Sequence, residues 1–233
     1  MSNLTHDRFK DAPWYKESKQ NVITLLGLGG IGSNTMFNLY RSIPAVYIIV
    51  DFDTVESHNI GTQLFMSSTL GSPKTLAIKS TLNIFLGNTN LNINTINKNI
   101  TEFKNADYMS PIVITGFDNM VARRTAFEHW KSMPNREIFI DGRLRANLYE
   151  VYSVLPGHED KYEETLFNDE DVSDGPCTFK QTSHFGMLIG ARITQIVANY
   201  LSNKADTENQ NIYEIPFKIK ELGELCHVEL VYY

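Results

Sequence analysis

The residues best suited to chemistry begin in the stretch LLGLGGIGSNT, Leu25–Thr35, where Gly27, Gly29 and Gly32 stand in a G-x-G-x-x-G frame after an apolar run. Gly27 permits a tight turn, Gly29 removes a side chain where backbone approaches phosphate, and Gly32 allows close packing of helix on strand. A helix starting there offers unpaired N–H groups and the positive end of its dipole to an anion. Asp51 closes the next apolar run and is well placed to bond a ribose hydroxyl. The pattern suits NAD as well as ATP. Glycines at this spacing also occur where they only pack a tight strand-to-helix turn.

Positioning these groups requires a strand, a helix and a second strand. "NVITLLG" reads as a buried strand ended by glycine, Ser33 to Ser42 as a helix, and "AVYIIVD" (45–51) as a second buried strand ending in an acid. Residues 21–51 thus form a compact βαβ unit. Downstream, 71–87 reads as an amphipathic helix entered through Pro73, and 91–97 as a strand. "PIVITGFD" (111–118) is a strand with an acid at its end, followed by the helix "MVARRTAFEHWKSM" and the strand "EIFIDGR" (137–143). Residues 146–157 alternate and leave the parallel sheet; 186–202 is a strong helix; "NIYEIPFKIK" and "ELCHVELVYY" form a terminal antiparallel pair. The fold class is α/β, a mostly parallel sheet with helices on both faces and a C-terminal antiparallel extension. Residues 1–20 are expected to be an arm and 21–233 one domain, with the acidic, patternless stretch within 158–185 a mobile crossover loop.

Bulk properties narrow the function classes. The chain has 233 residues, 42% hydrophobic and 21% charged, as in an ordinary soluble globule. Its formal net charge of −6 argues against a sequence-independent nucleic-acid binder, which needs cations for phosphates. The two cysteines, Cys177 and Cys226, make neither a disulfide scaffold nor a zinc site, and the histidines lack metal-ligand spacing. The polar N-terminus has no signal-peptide core and no segment suits a bilayer, so the expectation is a cytoplasmic protein with no membrane partner.

Further motifs are more specific than the glycine loop. "VDFDTVESHNIGTQLF" (50–65) precedes "GSPK" (71–74), and "GFDNMVARR" (116–124) follows. Here the chain resembles the ThiF/MoeB/HesA family, related to the ubiquitin-activating enzymes. That family reads G-x-G-G-x-G, D-x-D-x-V-x-x-x-N-[LI]-x-R-Q, G-x-x-K and D-N-x-x-x-R in this order. The match covers about residues 20–155, and more loosely the helix at 186–202. It implies a Rossmann-like adenylation domain that uses ATP and Mg²⁺ to activate the C-terminal carboxylate of a ubiquitin-like or sulfur-carrier protein or peptide. Carboxylate attack on the α-phosphate expels pyrophosphate. Homodimerisation is likewise a family expectation.

By resemblance, Gly27, Gly29, Gly30 and Gly32 cradle the nucleotide and Asp51 holds the ribose. Asn59 and Gln63 line the phosphates, Lys74 neutralises the triphosphate, Asp118 ligates Mg²⁺, and Asn119 and Arg123 occupy matching downstream positions. Bland alternatives stand beside these roles: Lys74 as a solvated helix lysine, Asp118 as a helix cap, and Asp53 as a structural acid as readily as a binding one. Arg124 and Arg143 read as surface or ion-pair residues.

Two positions are open. Thr62 stands where the family carries a phosphate-binding arginine. Losing that contact costs on the order of 10²–10³ in rate unless another cation substitutes. In homodimeric members an N-terminal arginine enters the partner's site, and Arg8 in "HDRF" is the candidate. Otherwise the protein is slow, or a nucleotide-binding pseudoenzyme. Cys177 lies in a region where relatives carry a nucleophilic cysteine; Lys180 or His184 would lower its pKa. Cys226 alternates with apolar residues and reads as core. The missing zinc cysteines separate the chain from zinc-bearing sulfur-carrier activators, and its length leaves no room for an added ubiquitin-fold or rhodanese domain. An NAD-dependent oxidoreductase rests only on the glycine loop and Asp51, and the "NIGTQ…GSPK…GFDN" series stands against it.

Overall fold

The computed structural model describes residues 8–87, 90–145, 148–168, 183–208, 210, 212–222 and 227–233. Eight strands form one sheet in the order β3-β2-β1-β4-β5-β6-β7-β8. They are β1 (Val22–Leu26), β2 (Val46–Val50), β3 (Ile93–Ile96), β4 (Ile112–Thr115), β5 (Ile138–Arg145), β6 (Leu148–Val154), β7 (Lys218–Leu222) and β8 (His227–Val231). β3, β2, β1, β4 and β5 are parallel; β6, β7 and β8 add antiparallel pairings. The helices are α1 (Trp14–Ser18), α2 (Gly30–Ser42), α3 (Lys74–Leu86), α4 (Met120–Lys131), α5 (Glu159–Glu163) and α6 (Ser183–Ala205).

The two-residue period of the strands divides the core. Ile23 and Leu25 of β1, Ile112 and Ile114 of β4, and Ile138 and Ile140 of β5 face one side, with Met36 and Leu39 of α2 and Ile189 and Ile193 of α6. Val113 and Phe139 face the other, against Phe127 and Trp130 of α4 and Tyr162 of α5. Burial on both faces is what near-continuous apolar strands require.

The chain winds β1 to β2 to β3 on one side of β1, then returns to β4 on its other side. α2 and α4 therefore leave β1 and β4 toward opposite faces of the sheet, and the carboxyl ends of these strands form the switch point where open α/β sheets bind ligands.

Several boundaries differ from those read in the sequence. α2 starts at Gly30 rather than Ser33, because Gly30 and Gly32 pack in its buried first turn. α6 starts at Ser183 rather than at 186. The terminal antiparallel pair is β7 and β8, and β7 bonds to β6, so the pair extends the main sheet as the sequence reading expects. Residues 158–168, patternless by sequence, include α5, and Tyr162 there is fully buried. Trp14 in the N-terminal stretch donates its indole N–H to the Ser42 carbonyl at 3.2 Å.

Candidate active site

The glycine loop joins β1 to α2. Gly27 has φ +84°, a conformation that favours glycine. A Cβ on Gly32 would lie 1.8 Å from the Gly27 carbonyl oxygen, so the first turn of α2 closes on the strand end only with glycine there. Gly29 is different: a Cβ would meet nothing among the described residues within 4 Å. It occupies the N-cap of α2 with no side-chain cap, which leaves first-turn N–H groups to an outside acceptor.

Asp51 follows β2 and holds the loop from beside it. Its Oδ2 accepts the Leu28 N–H at 2.6 Å and its Oδ1 the Asp53 N–H at 2.8 Å. Burial raises its pKa against the opposing pull of these two N–H groups and of Lys74. Asp53 binds Lys74: Nζ to Oδ2 is 2.8 Å, and the Lys74 N–H donates to the Asp53 carbonyl at 2.9 Å. A bridge between Thr54 and Pro73 ties the two segments. Lys74 is 6% exposed, which removes the solvated-lysine reading.

The 56–64 segment is pinned to α2. Leu64 N–H donates to Ser33 Oγ at 3.0 Å, and that hydroxyl donates to the Gly29 carbonyl at 2.7 Å. Asn59 is buried and its Oδ1 accepts the Glu56 N–H at 2.9 Å, so it shapes this turn. The Gln63 N–H donates to the Asn59 carbonyl at 2.8 Å, whereas its side-chain Oε1 is buried with no partner among the described residues. An orphaned acceptor here calls for a donor from outside the chain.

The loop after β4 packs on the glycine loop. Gly116 N–H bonds the Leu26 carbonyl at 3.0 Å, and a Cβ on Gly116 would lie 3.2 Å from the Gly32 nitrogen. The Phe117 ring lies over Gly27. Asp118 and Asn119 are exposed at this edge. Asn119 caps α4, accepting the Ala122 N–H at 2.8 Å, so the cap is not Asp118. The Asp118 carboxylate faces solvent with a bond from Asn119 Nδ2 at 3.2 Å.

Arg123 is not at the crevice surface. It is 4% exposed and its guanidinium binds Asp141, the Gly142 carbonyl at 3.0 Å and the Phe117 carbonyl. Arg143 is also buried, against Asp141 at 2.6 Å, so of its two sequence readings the ion pair holds; Arg124 is exposed. Arg8 is exposed beside Arg41, Phe9 and Phe85, in a cleft at the C-terminal end of α2. With a helical rise of about 1.5 Å per residue, that end lies roughly 16 Å from the glycine loop of the same chain. Cys177, Lys180 and Cys226 lie outside the described residues; His184 stacks near Phe185 at 4.5 Å. Sequence reasoning missed Asp141 and Thr115 as a linked pair, although parallel register sets them side by side.

The crevice fits a magnesium nucleotide. Asp51 offers carboxylate oxygens to hydroxyls, while the α2 N–H groups and the Lys74 cation suit phosphate oxygens. No cluster of three metal-ligating side chains occurs among the described residues. Mg²⁺ needs none, since it is commonly held by one or two carboxylates plus substrate phosphates. No helix among the described residues is long and apolar enough to cross a membrane.

Comparison with known proteins gives the family and the fold. The ThiF family model matches residues 4–221. Ubiquitin-like modifier-activating enzyme 5 of Drosophila simulans is 32% identical over 93 residues, 40% of this chain and 22% of that protein. The same enzyme of Culex quinquefasciatus is 32% identical over 105 residues, 45% of this chain and 26% of that one. The chain thus spans about a quarter of the length of these relatives. Among solved structures, E. coli MccB with ATP superposes with a TM-score of 0.68 at 17% identity, covering 94% of this chain and 66% of MccB. PaaA gives 0.70 at 17% identity, covering 95% and 67%. The solved structures share the fold, and the family model spans most of the sequence: the chain belongs to the ThiF family.

Proposed function

We propose that the chain is an ATP-dependent adenylyltransferase that activates the C-terminal carboxylate of a ubiquitin-like or sulfur-carrier protein or of a peptide. The observation that supports this most is the meeting of four elements at adjoining strand ends. These are the open glycine loop, Asp51, the buried Lys74 held by Asp53, and the exposed Asp118. The relatives' names point the same way: one is a modifier-activating enzyme, and MccB has been crystallised with ATP and with MccA.

In this reading Asp51 accepts the ribose hydroxyls. The α2 N–H groups and Lys74 take phosphate oxygens, and Asp118 with the phosphates holds Mg²⁺. The metal supplies charge neutralisation on the triphosphate. The substrate carboxylate attacks the α-phosphorus, its new P–O bond replaces the bond to the bridging oxygen, and pyrophosphate leaves with that electron pair. The products are acyl-AMP and pyrophosphate. The protein's work is positioning and electrostatics rather than covalent chemistry.

Thr62 leaves this crevice without a cation that the family's motif supplies. We assign its replacement to Arg8 of the partner subunit in a homodimer, because Arg8 sits far from its own chain's loop. A second reading, a nucleotide-binding module without turnover, is favoured by Thr62 alone. ATP–pyrophosphate exchange separates the two. Exchange stimulated by a peptide or ubiquitin-like C-terminus supports the enzyme. ATP binding with no exchange on any such substrate supports the module.

A further inference from the structure

Asp141 lies at the carboxyl end of the parallel part of β5, fully buried. It faces the α4 side because strand residues alternate, as does Thr115 beside it on β4. Its Oδ1 accepts from Thr115 Oγ1 at 2.7 Å and from Arg123; its Oδ2 accepts from Arg143 Nε at 2.6 Å and Tyr162 Oη at 2.9 Å. One carboxylate therefore gathers two arginines, a threonine and a tyrosine.

The arginines carry this node in two directions. Arg123 reaches the carbonyl of Phe117, the residue before Asp118. Arg143 reaches the Thr165 carbonyl at 2.9 Å and its hydroxyl at 3.0 Å. Both guanidiniums are already engaged, Arg123 by Asp141 and the Gly142 and Phe117 carbonyls, Arg143 by Asp141 and Thr165. The Asp118 carboxylate accepts from Asn119 Nδ2 at 3.2 Å, a bond at the exposed edge, while Asn119 Oδ1 caps α4.

We infer that Asp141 and Arg123 form a positioning pair that fixes the backbone at Phe117 and so aims the Asp118 carboxylate at its metal. This rests on the adenylation reading for the role of Asp118, and it assigns Arg123 an indirect role in place of nucleotide contact. The guanidinium suits the task because its planar fork serves an acid and two carbonyls at once. A lysine keeps the charge opposite Asp141 and loses the fork.

Arg123→Lys is the test, with Arg143→Lys as the control that perturbs the same carboxylate but leaves the Phe117 carbonyl bonded. In the ligand-free protein, amide hydrogen exchange should quicken across residues 116–119 in Arg123→Lys and stay unchanged there in Arg143→Lys. Calorimetric titration should show Arg123→Lys needing about tenfold more Mg²⁺ for ATP binding, a common effect of losing a partner that orients a metal ligand. Its affinity for ATP without Mg²⁺ should be unchanged. In an Asp118→Ala background the same substitution should shift nothing further. If Arg123→Lys fails to fold, Thr115→Val, which takes a bond from the same Asp141 oxygen, should shift the Mg²⁺ requirement two- to threefold in the same direction. Equal shifts in Arg123→Lys and Arg143→Lys, or unchanged exchange at 116–119, would overturn the positioning role while leaving the adenylation reading intact. Absence of ATP binding in the unaltered protein would overturn both.

Discussion

Lys74 Nζ lies 2.8 Å from Asp53 Oδ2, and the two members of this pair are unequally buried: the lysine side chain is 7% exposed and the aspartate 46%. The acid holds the cation at the edge of the crevice without withdrawing it. Lys74→Met keeps most of the buried volume and removes the charge. We expect ATP affinity to fall by about 2 kcal/mol, the scale of one hydrogen bond to a charged group. AMP affinity should hold, because the lost contact belongs to the outer phosphates. Titration with both nucleotides checks this; an equal loss for AMP would contradict it.

Asp118 is exposed and does not cap its helix, so Asp118→Ala should leave the melting temperature near that of the unaltered protein. Pyrophosphate release should fall by about 10²–10³-fold, as for loss of an electrostatic group at the reacting centre. Turnover like that of the unaltered protein would remove Asp118 from the mechanism.

The glycines should separate by role. Gly32→Ala puts a methyl 1.8 Å from a backbone oxygen, and we expect a loss of about 1–3 kcal/mol or more in urea denaturation. Gly29→Ala meets nothing among the described residues, so it should keep its stability and lose nucleotide affinity. A stable Gly32→Ala, or a Gly29→Ala that binds ATP normally, would break the assignment.

Burial by itself would raise the Asp141 pKa, but Arg123 and Arg143 outweigh it and the net shift is downward. Asp141 is therefore ionised more readily folded than unfolded. Its stabilising contribution is present above the ordinary carboxylate value, about 3.9, and is lost as pH falls through the lower folded value. Asp141→Asn leaves two buried arginines without their acid, at a cost of about 3–5 kcal/mol at neutral pH. The stability gap between the two proteins should close on acidification below the carboxylate range. A gap independent of pH would contradict the buried ion pairs.

Much of this site was legible in the sequence because its parts are local. The glycine loop, Asp51 and Lys74 sit at element boundaries where turns and caps leave signatures. Arg123 was named by its place in the family's D-N-x-x-x-R run; its burial follows from sharing a face of α4 with Phe127 and Trp130, at helical spacing. Asp141 shows the same thing on a strand, where alternation with Ile138 and Ile140 puts it on the face of Phe139. Which acid meets which arginine depends on β4–β5 register, and no local pattern specifies that. Residues 158–168 looked patternless because α5 is short and is fixed by long-range contacts of Tyr162.

The most direct measurement is calorimetric titration of the purified protein with ATP, with and without Mg²⁺, beside NAD⁺. An adenylation site predicts ATP binding that strengthens with Mg²⁺ and no binding of NAD⁺. Tight NAD⁺ binding without ATP binding would contradict it.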